Sequence, residues 1–551
     1  MINKTINKSK EELILEIKKR VEDKIIEKTN ADLIIKLINN SDSLSEAIAI
    51  AQLGTTYKRT GFHFDKRLEK MDNTIKYFKK NEELSFVNDE VKLTHKLIIG
   101  DNYDALLNLL IEYKNKIDVI YIDPPYGKDS MGEFADTNYN NAITRDNLLS
   151  MLYPRLFLAK QLLSDNGVIF CSIDDRNQAQ VKSLFDEIFE EKNFVGNITR
   201  ITTKRVKGDA KEINKINDYI LVYDRGDFDI NHRIKENLSI YKEIDSHVAE
   251  RGKYLLRPLD NGSINYSSNC DYIIKAPDES EIVAGGDINR RLDRLSGHHS
   301  KKDWCYRWSE EKFKWGIEND YIVFKQDEST KKWRVYFKIY EYVDNSLNPT
   351  TKLDNYLSVI DECYNNQGTT EIKSIFGRAV FDYPKPISLI SLLLQMHQNQ
   401  SAVVLDFFAG SGTTGHAVMQ LNKEDGGKRK FILCTNNEAT DINSNGIAYD
   451  VTSKRLKRIM SGECYDGTKD FDWIRNNEPY GDNLDVYEIN KVANSESSEN
   501  KTPFDVIDET LYGLDKFVSI KDKVEWVCNN FEHTQKNVET DDKWRERLEI
   551  E

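Results

Sequence analysis

The N-terminal segment carries apolar residues at helical spacing. Ser9 and Glu12 stand at the spacing of a capping box, in which each side chain accepts from the other's backbone N–H. The apolar residues that follow recur every three or four positions, as one face of a helix requires: Ile14, Ile17, Val21 and Ile25. The pattern predicts an amphipathic helix over residues 9–27. The rest of the chain to about residue 90 is also predicted to be helical, and it shows no candidate chemistry.

From Lys96 the pattern changes to alternating strands and helices. A nearly continuous apolar run over residues 117–122 is typical of a strand buried on both faces of a parallel sheet. Such alternation favours a doubly wound α/β sheet. The predicted elements are strands at 97–99, 117–122, 168–173 and 219–223, and helices through Leu106 and Leu110, over 152–163 and around 177–190.

This rhythm stops at about residue 226 and resumes near residue 387. The interval holds four of the seven tryptophans and short alternating strands such as 333–338, which predicts an inserted mixed domain. After it come a helix to about His397, a strand over 403–407, a glycine-rich turn, a helix and a strand over 431–434. The predicted domains are therefore 1–90, 91–225, 226–375, 376–462 and 463–551, the last behind a flexible linker.

Charge and composition narrow the class of protein. The 551 residues carry a net charge of -14, but residues 463–551 alone hold 23 acidic and 11 basic side chains. The remainder is therefore close to neutral, and the acidity of the tail leaves room for a local basic cleft. Seven scattered cysteines without a Cys-x-x-Cys pair predict reduced thiols and no metal site. No apolar stretch is long enough for a membrane span or signal peptide, so a cytoplasmic protein is expected.

A glycine-rich turn follows the strand at 403–407. Gly410, Gly412 and Gly415 satisfy the G-x-G-x-x-G pattern and open a helix, whose unpaired N–H groups can face a ligand. Glu438 stands 23 residues beyond Gly415, where an acidic side chain can accept both hydroxyls of a ribose. The turn predicts a nucleoside cofactor, and NAD, FAD and S-adenosylmethionine all remain open. The phosphate-binding G-x-x-x-x-G-K-[ST] pattern is absent, which disfavours ATP chemistry.

The tetrapeptide Asp123-Pro124-Pro125-Tyr126 follows the buried strand at 117–122. Two prolines fix φ and remove two N–H donors, which leaves a rigid loop with outward carbonyl acceptors. Asp123 and the Pro124 carbonyl can accept the two N–H bonds of an exocyclic amino group, while Tyr126 stacks on a flipped base. Acceptors placed in this way would aim the nitrogen lone pair at a methyl donor. We therefore predict that this tetrapeptide is the catalytic loop.

Four segments together resemble the β-group DNA amino-methyltransferases, in which the catalytic motif precedes the cofactor motif. They are LIIGDNYDALLNLL…KIDVIYIDPPY (97–126), MLYPRLFLAKQLLSDNGVIFCSIDD (151–175), FDYPKP (381–386) and FFAGSGTT (407–414). The chain is most similar to the modification (Mod) subunits of type III restriction–modification systems. The resemblance implies a Rossmann-like, S-adenosylmethionine-dependent methyltransferase core with circularly permuted motif order. Around this core we expect a helical N-terminal region, an inserted mixed α+β target-recognition domain and a small acidic C-terminal unit.

The resemblance also implies roles for individual residues. Asp123, Pro124, Pro125 and Tyr126 would form the catalytic loop, and Glu438 would bind the ribose. Asp101 would help to hold the cofactor adenine, and Lys385 with Pro386 would form a wall of the methionine pocket. The residues implied around the methionine end are Asp406, Phe408, Ala409, Gly410, Ser411, Gly412 and Thr413.

Two segments between the motifs are rich in basic residues. Residues 199–215 hold six basic and two acidic side chains, and residues 289–302 hold five and one. Because Lys and Arg bind phosphates, we predict that these segments contact DNA. The candidates are Lys204, Arg205, Lys207, Arg290, Arg291, Arg294, Lys301 and Lys302.

The leading hypothesis is sequence-specific adenine-N6 methylation in double-stranded DNA with base flipping. Cytosine-N4 methylation uses the same loop geometry and stays open, although Asp as the first loop residue favours adenine in the resembled group. A nicotinamide-dependent oxidoreductase would use the glycine turn but leaves the catalytic loop unexplained. A non-catalytic DNA-binding subunit is the third alternative. The resemblance implies a homodimer that pairs with a separate helicase-nuclease (Res) subunit. It also implies a cytoplasmic bacterial protein that associates with the nucleoid by binding DNA and does not associate with a membrane.

Overall fold

The computed structural model describes residues 2–22, 28–52, 74–126, 145–205, 213–235, 238–493 and 502–536. Contacts between residues divide the chain into two units, residues 1–65 and 66–551. None of the helices in these described ranges combines the length and apolar character needed to cross a bilayer.

The described part of the first unit contains three helices, α1 (Ile2–Glu22), α2 (Lys28–Asn40) and α3 (Leu44–Gln52). Ile17, Ala31, Ile38 and Ala47 are buried between them, so the apolar face predicted for α1 does form a core. The helix begins before Ser9, which places the predicted capping residue inside α1 and makes that N-cap wrong. The last predicted residues of this helix, 23–27, lie outside the described ranges.

The second unit begins with alternating strands and helices, as the pattern predicts. Its first elements are β1 (Thr74–Lys80), β2 (Thr94–Ile99), α4 (Asn102–Tyr113), β3 (Ile117–Ile122), α5 (Arg145–Leu162), β4 (Leu163–Ile173), α6 (Gln178–Phe189), β5 (Phe194–Ile201) and β6 (Asn217–Asp224). The bounds of β3 coincide with the predicted apolar run, and five of its six residues are buried.

The inserted segment is a mixture of short strands and helices, which confirms the expected break in the alternation. Its elements are β7 (Arg233–Ile234), α7 (Val248–Arg251), β8 (Tyr254–Pro258), β9 (Asp260–Asn261), β10 (Ile274–Lys275), β11 (Glu281–Ile282), α8 (Ile288–Leu295), β12 (Cys305–Tyr306), α9 (Glu310–Glu318), β13 (Ile322–Gln326), β14 (Trp333–Tyr340), β15 (Leu353–Asp354), β16 (Val359–Ile360) and α10 (Asn365–Phe376). Trp308, Tyr321, Phe337 and Tyr340 belong to a hydrophobic cluster of this segment's own.

The chain then returns to the α/β pattern. The remaining elements are α11 (Ile387–Gln395), β17 (Val403–Asp406), α12 (Thr413–Asp425), β18 (Lys430–Thr435), α13 (Lys454–Ser461), α14 (Asp472–Asn476), β19 (Asn483–Ala493), α15 (Pro503–Val506) and α16 (Ile520–Lys536). A π-helical stretch over Ala448–Ser453 leads into α13.

One ten-stranded sheet organises the second unit, in the order β1-β19-β2-β18-β17-β3-β4-β6-β5-β16. The strands from β19 through β4 are mutually parallel, which confirms the predicted Rossmann-like α/β core. Strands β17 and β18 come late in the chain but lie between β2 and β3. The register pairs Val404 with Val119 and Leu405 with Ile120. Since parallel strands end at the same sheet edge, the predicted catalytic loop after β3 and the glycine turn after β17 become neighbours.

Two strands of this sheet come from segments for which none was predicted. β1 interrupts the region expected to be helical to residue 90, and it pairs antiparallel with β19 from the expected acidic tail. β19 in turn pairs parallel with β2. The alternation in TIKYFKK, with Ile75 and Tyr77 buried, was a period-two signal that the charged surroundings obscured. The helical N-terminal prediction is therefore wrong over 74–80.

The described part of the tail also packs on the core. Tyr512 stacks on Phe78 at 5.3 Å between ring centroids, and its hydroxyl donates to Asn108 Oδ1 at 2.7 Å. The backbone N–H of Phe78 donates to the same hydroxyl at 2.9 Å. Through Tyr512 the described part of the tail is thus joined to β1 and α4 in spite of its acidity.

Candidate active site

The predicted catalytic loop begins directly after β3. The Tyr126 hydroxyl donates to Asp123 Oδ1 at 3.0 Å, so the aromatic ring and the carboxylate form one unit. The Asp123 side chain is 27% exposed, and Pro124 is buried. The carboxylate therefore remains accessible on a loop that two prolines make rigid.

Lys385, predicted to form a wall of the methionine pocket, contacts the predicted catalytic loop. Its ammonium donates to Asp123 Oδ1 at 2.6 Å and to the Tyr126 hydroxyl at 2.9 Å. It also lies 5.1 Å from the centroid of the Tyr126 ring, within cation–π distance. Pro386, the next residue, is buried at the N-cap of α11. Lys385 thus binds the predicted catalytic loop.

A buried ion pair lies in the layer that carries this loop. Arg200 on β5 donates to both carboxylate oxygens of Asp218 on β6, at 2.8 and 2.6 Å. Its Nη2 also donates to Asn365 Oδ1 at 2.7 Å, at the start of α10. Burial, followed by the charge of Asp123, raises the pKa of Tyr126 well above its ordinary value, so its hydroxyl stays protonated at neutral pH. Arg200 belongs to the basic segment 199–215 that is predicted to contact DNA, but on β5 its side chain is buried.

The glycine turn follows β17 and is held by Asp406. The Asp406 carboxylate accepts the backbone N–H of Phe408 at 3.0 Å and the Thr414 hydroxyl at 2.5 Å. Gly410 and Gly412 have φ values of 46° and 78°, which residues other than glycine rarely adopt. A Cβ on Gly410 would also lie 3.0 Å from the Phe381 ring. The turn therefore needs glycine for its conformation and for close approach.

The inner side of this turn contacts Arg455, which sequence reasoning did not identify. Arg455 on α13 is completely buried and donates to the Ser411 carbonyl at 3.2 Å and to Thr413 Oγ1 at 2.9 Å. Burial lowers the pKa of its guanidinium to about 10, while the charge of Glu371 opposes that shift. Thr452 adds a hydrogen bond from its hydroxyl to the Gly410 carbonyl. Hydrogen bonds from Arg455 thus hold Ser411 and Thr413 in place. Phe408 and Ala409 lie in the same buried turn.

Asp101 caps the helix after β2. Its carboxylate accepts the Tyr103 N–H at 2.8 Å and pairs with Arg155 at 3.1 Å, while its side chain is 57% exposed. The neighbouring Asn102 donates to the Phe407 carbonyl at 2.8 Å, which ties α4 to the start of the glycine turn. Asn102 and Arg155 are further residues that the sequence analysis missed, since nothing local connects them to residue 407.

Glu438 lies three residues beyond β18 and is half-buried. Burial raises the pKa of its carboxyl. Its backbone carbonyl accepts from Ile447, but within the described ranges no hydrogen bond reaches its carboxylate. Both oxygens are therefore available as acceptors at the same sheet edge.

Two carboxylates and one ammonium dominate the charge of the site. Burial is the main cause that raises the pKa of Asp406 to about 7, and the charge of Asp123 adds to it. Hydrogen bonds from Thr414 and Phe408 and the charge of Lys385 act in the opposite direction. A cationic ligand beside Asp406 would favour its ionised form. With the glycine turn and the free carboxylate of Glu438, these residues fit a nucleoside cofactor that carries positive charge.

The predicted DNA-contacting arginines divide into buried and exposed ones. Arg294 is 3% exposed and its Nε lies 3.0 Å from Asp271, while the Nε of Arg291 lies 3.3 Å from the same carboxylate. Both arginines neutralise a buried aspartate within the insertion, so their prediction as DNA contacts is wrong. Five candidates are exposed and remain predicted contacts: Lys204, Arg205, Arg290, Lys301 and Lys302. Lys207 lies outside the described residues, and the described residues contain no group of metal-ligating side chains.

Comparison with known proteins gives two family matches. Residues 117–442 match the N6/N4 methyltransferase family, described as DNA methylase. Residues 2–119 match a family described only as an uncharacterised conserved protein.

Individual relatives cover about two thirds of the chain. The StyLTI Mod subunit, a type III restriction-modification enzyme of Salmonella typhimurium, is 34% identical over 68% of this chain and 58% of its own length. The type II methyltransferase M.KpnI of Klebsiella pneumoniae is 30% identical over 69% of this chain and 90% of its own length. A solved M1.HpyAVI–SAM complex matches 66% of this chain and 99% of its own at 12% identity, with a TM-score of 0.30. The family match over residues 117–442, with M.KpnI matched over nearly its whole length, shows that this chain belongs to the N6/N4 DNA methylase family.

Proposed function

We propose that this protein transfers a methyl group from S-adenosylmethionine to adenine N6 at a specific sequence in double-stranded DNA. The observation that carries the proposal is the pairing of β3 with β17, which brings the Asp123–Tyr126 loop beside the 407–412 turn. A rigid acceptor loop next to a nucleoside turn is the arrangement that methylation of an amino group requires. A nicotinamide oxidoreductase would use only the turn and leave the loop without a purpose.

The roles of the chain's own residues follow from this geometry. Asp123 and the Pro124 carbonyl accept the two N–H bonds of the flipped base, and Tyr126 packs against its ring. These bonds aim the nitrogen lone pair out of the base plane, so positioning supplies most of the rate. When bound, S-adenosylmethionine supplies an electrophilic methyl group on a sulfonium. The amino proton becomes acidic only as the new bond forms, and Asp123 can accept it without being a strong base.

Analysis of the methylated product tests the proposal and separates it from cytosine-N4 methylation. Plasmid DNA from a host that expresses the protein should contain N6-methyladenine, measured by mass spectrometry of nucleosides. Single-molecule sequencing should then place every modified adenine in one sequence context. The aspartate at position 123 favours adenine among the group that the chain resembles. N4-methylcytosine without N6-methyladenine would overturn the choice of base, and unmodified DNA would overturn the activity.

The pKa of Asp406 predicts how cofactor binding depends on pH. Because this pKa is about 7, Asp406 becomes protonated as the pH falls below 7, and a cationic cofactor then loses its counter-charge. Affinity for S-adenosylmethionine should decrease as the pH falls from 7, and the decrease should reach about tenfold per pH unit at low pH. Above pH 8 the affinity should be constant. Calorimetric titration at pH 6, 7 and 8 measures this, and the Asp406→Asn variant should show no such dependence.

The same raised pKa has the opposite effect on the stability of the protein without cofactor. The folded state holds the proton of Asp406 up to about pH 7, whereas the unfolded state loses it near pH 4. This group therefore stabilises the fold fully below pH 4 and loses that contribution as the pH rises through 7.

We further propose that the protein is the modification subunit of a type III restriction–modification system. Its support is the similarity to the StyLTI Mod subunit, of whose length the chain spans 58%. In that role it would form a homodimer and associate with a separate helicase-nuclease (Res) subunit. The exposed Arg290, Lys301 and Lys302 of the insertion would contact the DNA backbone, where lysine and arginine bind phosphates. Light scattering of the purified chain tests the dimer, since a monomeric mass at micromolar concentration would contradict it.

A further inference from the structure

Both hydrogen bonds that hold the Asp123 carboxylate end on a single oxygen. Lys385 Nζ and the Tyr126 hydroxyl both donate to Oδ1, at 2.6 and 3.0 Å. Within the ranges that the structure describes, no group donates to Oδ2 of the same carboxylate. The Lys385 side chain is only 10% exposed, so its ammonium is held in the site and does not sample solvent freely.

The segment that carries Lys385 is fixed against α10, the last helix of the insertion. Gly368 lies so close to this segment that a Cβ there would approach the Pro384 carbonyl oxygen to 2.2 Å. One turn later, the Glu371 carboxylate accepts the backbone N–H of Ile387 at 3.0 Å. The backbone on both sides of Lys385 is therefore anchored, which limits the positions that its ammonium can take.

We propose that Lys385 is a positioning residue that fixes the rotamer of Asp123 through Oδ1 and leaves Oδ2 free for the amino group of the target base. The inference rests on the proposed methyl transfer and adds a residue to it. An aspartate without this clamp can rotate about its χ angles, and its carboxylate then meets the amino group in a productive orientation only part of the time. The Tyr126 hydroxyl donates to the same oxygen of Asp123, and this hydroxyl in turn accepts a hydrogen bond from Lys385.

The ammonium also balances charge between two carboxylates. The titratable groups that face Asp406 are Asp123 after β3, Lys385 before α11, Tyr121 on β3 and Cys434 on β18. Lys385 is the cation among them, and it lowers the pKa of Asp406 while Asp123 raises it. Its removal should therefore move the pH dependence of cofactor affinity to higher pH.

The test compares Lys385→Met, which keeps the length of the side chain, with Lys385→Arg and with the control Lys373→Met. Lys373 is an exposed lysine on α10 and also loses one positive charge when replaced. The Lys385→Met variant should transfer methyl groups about a hundredfold more slowly in single turnover, the loss that small misplacements cause. Its affinities for DNA and for S-adenosylmethionine at pH 8 should change less than about threefold, so the loss appears in kcat and leaves KM nearly unchanged. Lys385→Arg should recover most of the rate, and Lys373→Met should match the wild type.

A second measurement follows cofactor affinity as a function of pH. The midpoint should rise above 7 in Lys385→Met and should stay near 7 in Lys373→Met. An unchanged transfer rate in Lys385→Met would overturn the role of Lys385, as would a rate loss matched by equal loss of cofactor affinity at pH 8. If the wild-type protein itself transfers no methyl group, the proposed function fails, whereas an active wild type with an equally active Lys385→Met overturns this inference alone.

Discussion

Replacing Asp123 by alanine should lower the methyl-transfer rate about a thousandfold, the upper range for loss of one preorganised hydrogen-bonding group. The variant loses the acceptor for the target amine and the group that binds both Lys385 and Tyr126. Asp123 lies on the loop after β3, and the cofactor turn keeps its own hydrogen bonds to Asp406 and Arg455. Affinity for S-adenosylmethionine should therefore persist at pH 8. Single-turnover transfer of a labelled methyl group and calorimetry measure the two effects separately.

The exposed Asp382, in the segment that leads to Lys385, provides the matched control for this variant. Asp382→Ala removes a carboxylate near the same sheet edge and should leave the rate within about twofold, as surface substitutions generally do. An Asp123→Ala variant with near wild-type activity would show that the loop is structural and would direct the search to another acceptor.

Replacing Asp218 by alanine should lower the free energy of unfolding by about 3–5 kcal/mol, because it leaves a buried guanidinium without its counter-charge. Arg200 and Asp218 have side chains only 1% and 8% exposed, and the pair is bidentate. Asn365 and the Cys363 carbonyl would remain as neutral acceptors for Arg200 and cannot compensate its charge. Urea unfolding followed by fluorescence measures the change, provided that the slope of the transition is the same in both proteins.

An exposed ion pair in the same unit is the control for this measurement. Lys215 and Asp175 are 3.9 Å apart, with side chains 63% and 52% exposed. Water screens such a pair, so Asp175→Ala should change the free energy of unfolding by less than about 1 kcal/mol. A loss of less than 1 kcal/mol for Asp218→Ala would mean that water or a rearranged neighbour takes the place of the carboxylate.

Sequence alone determined those parts of the protein whose signal is local. The apolar run over 117–122 predicted β3 with its observed bounds, because a strand covered on both faces can hardly contain polar residues. Gly410 and Gly412 predicted a turn that their positive φ values now explain. The order of the two motifs, together with four resembling segments, led to the methylase family that the comparison shows.

Only the tertiary structure decided which distant residues meet. β17 and β18 lie between β2 and β3 in the sheet. The apolar pattern of the sequence is compatible with several strand orders, so it could not predict this one. The partners of charged residues are equally non-local: Arg294 finds a buried aspartate, Arg455 binds the glycine turn, and Lys385 binds Asp123. A charged residue has the same local pattern whether it faces water, DNA or a buried carboxylate, since its energy depends on the group opposite. The loop and the turn could therefore be predicted from the sequence, whereas the contact between Lys385 and Asp123 became visible only in the fold.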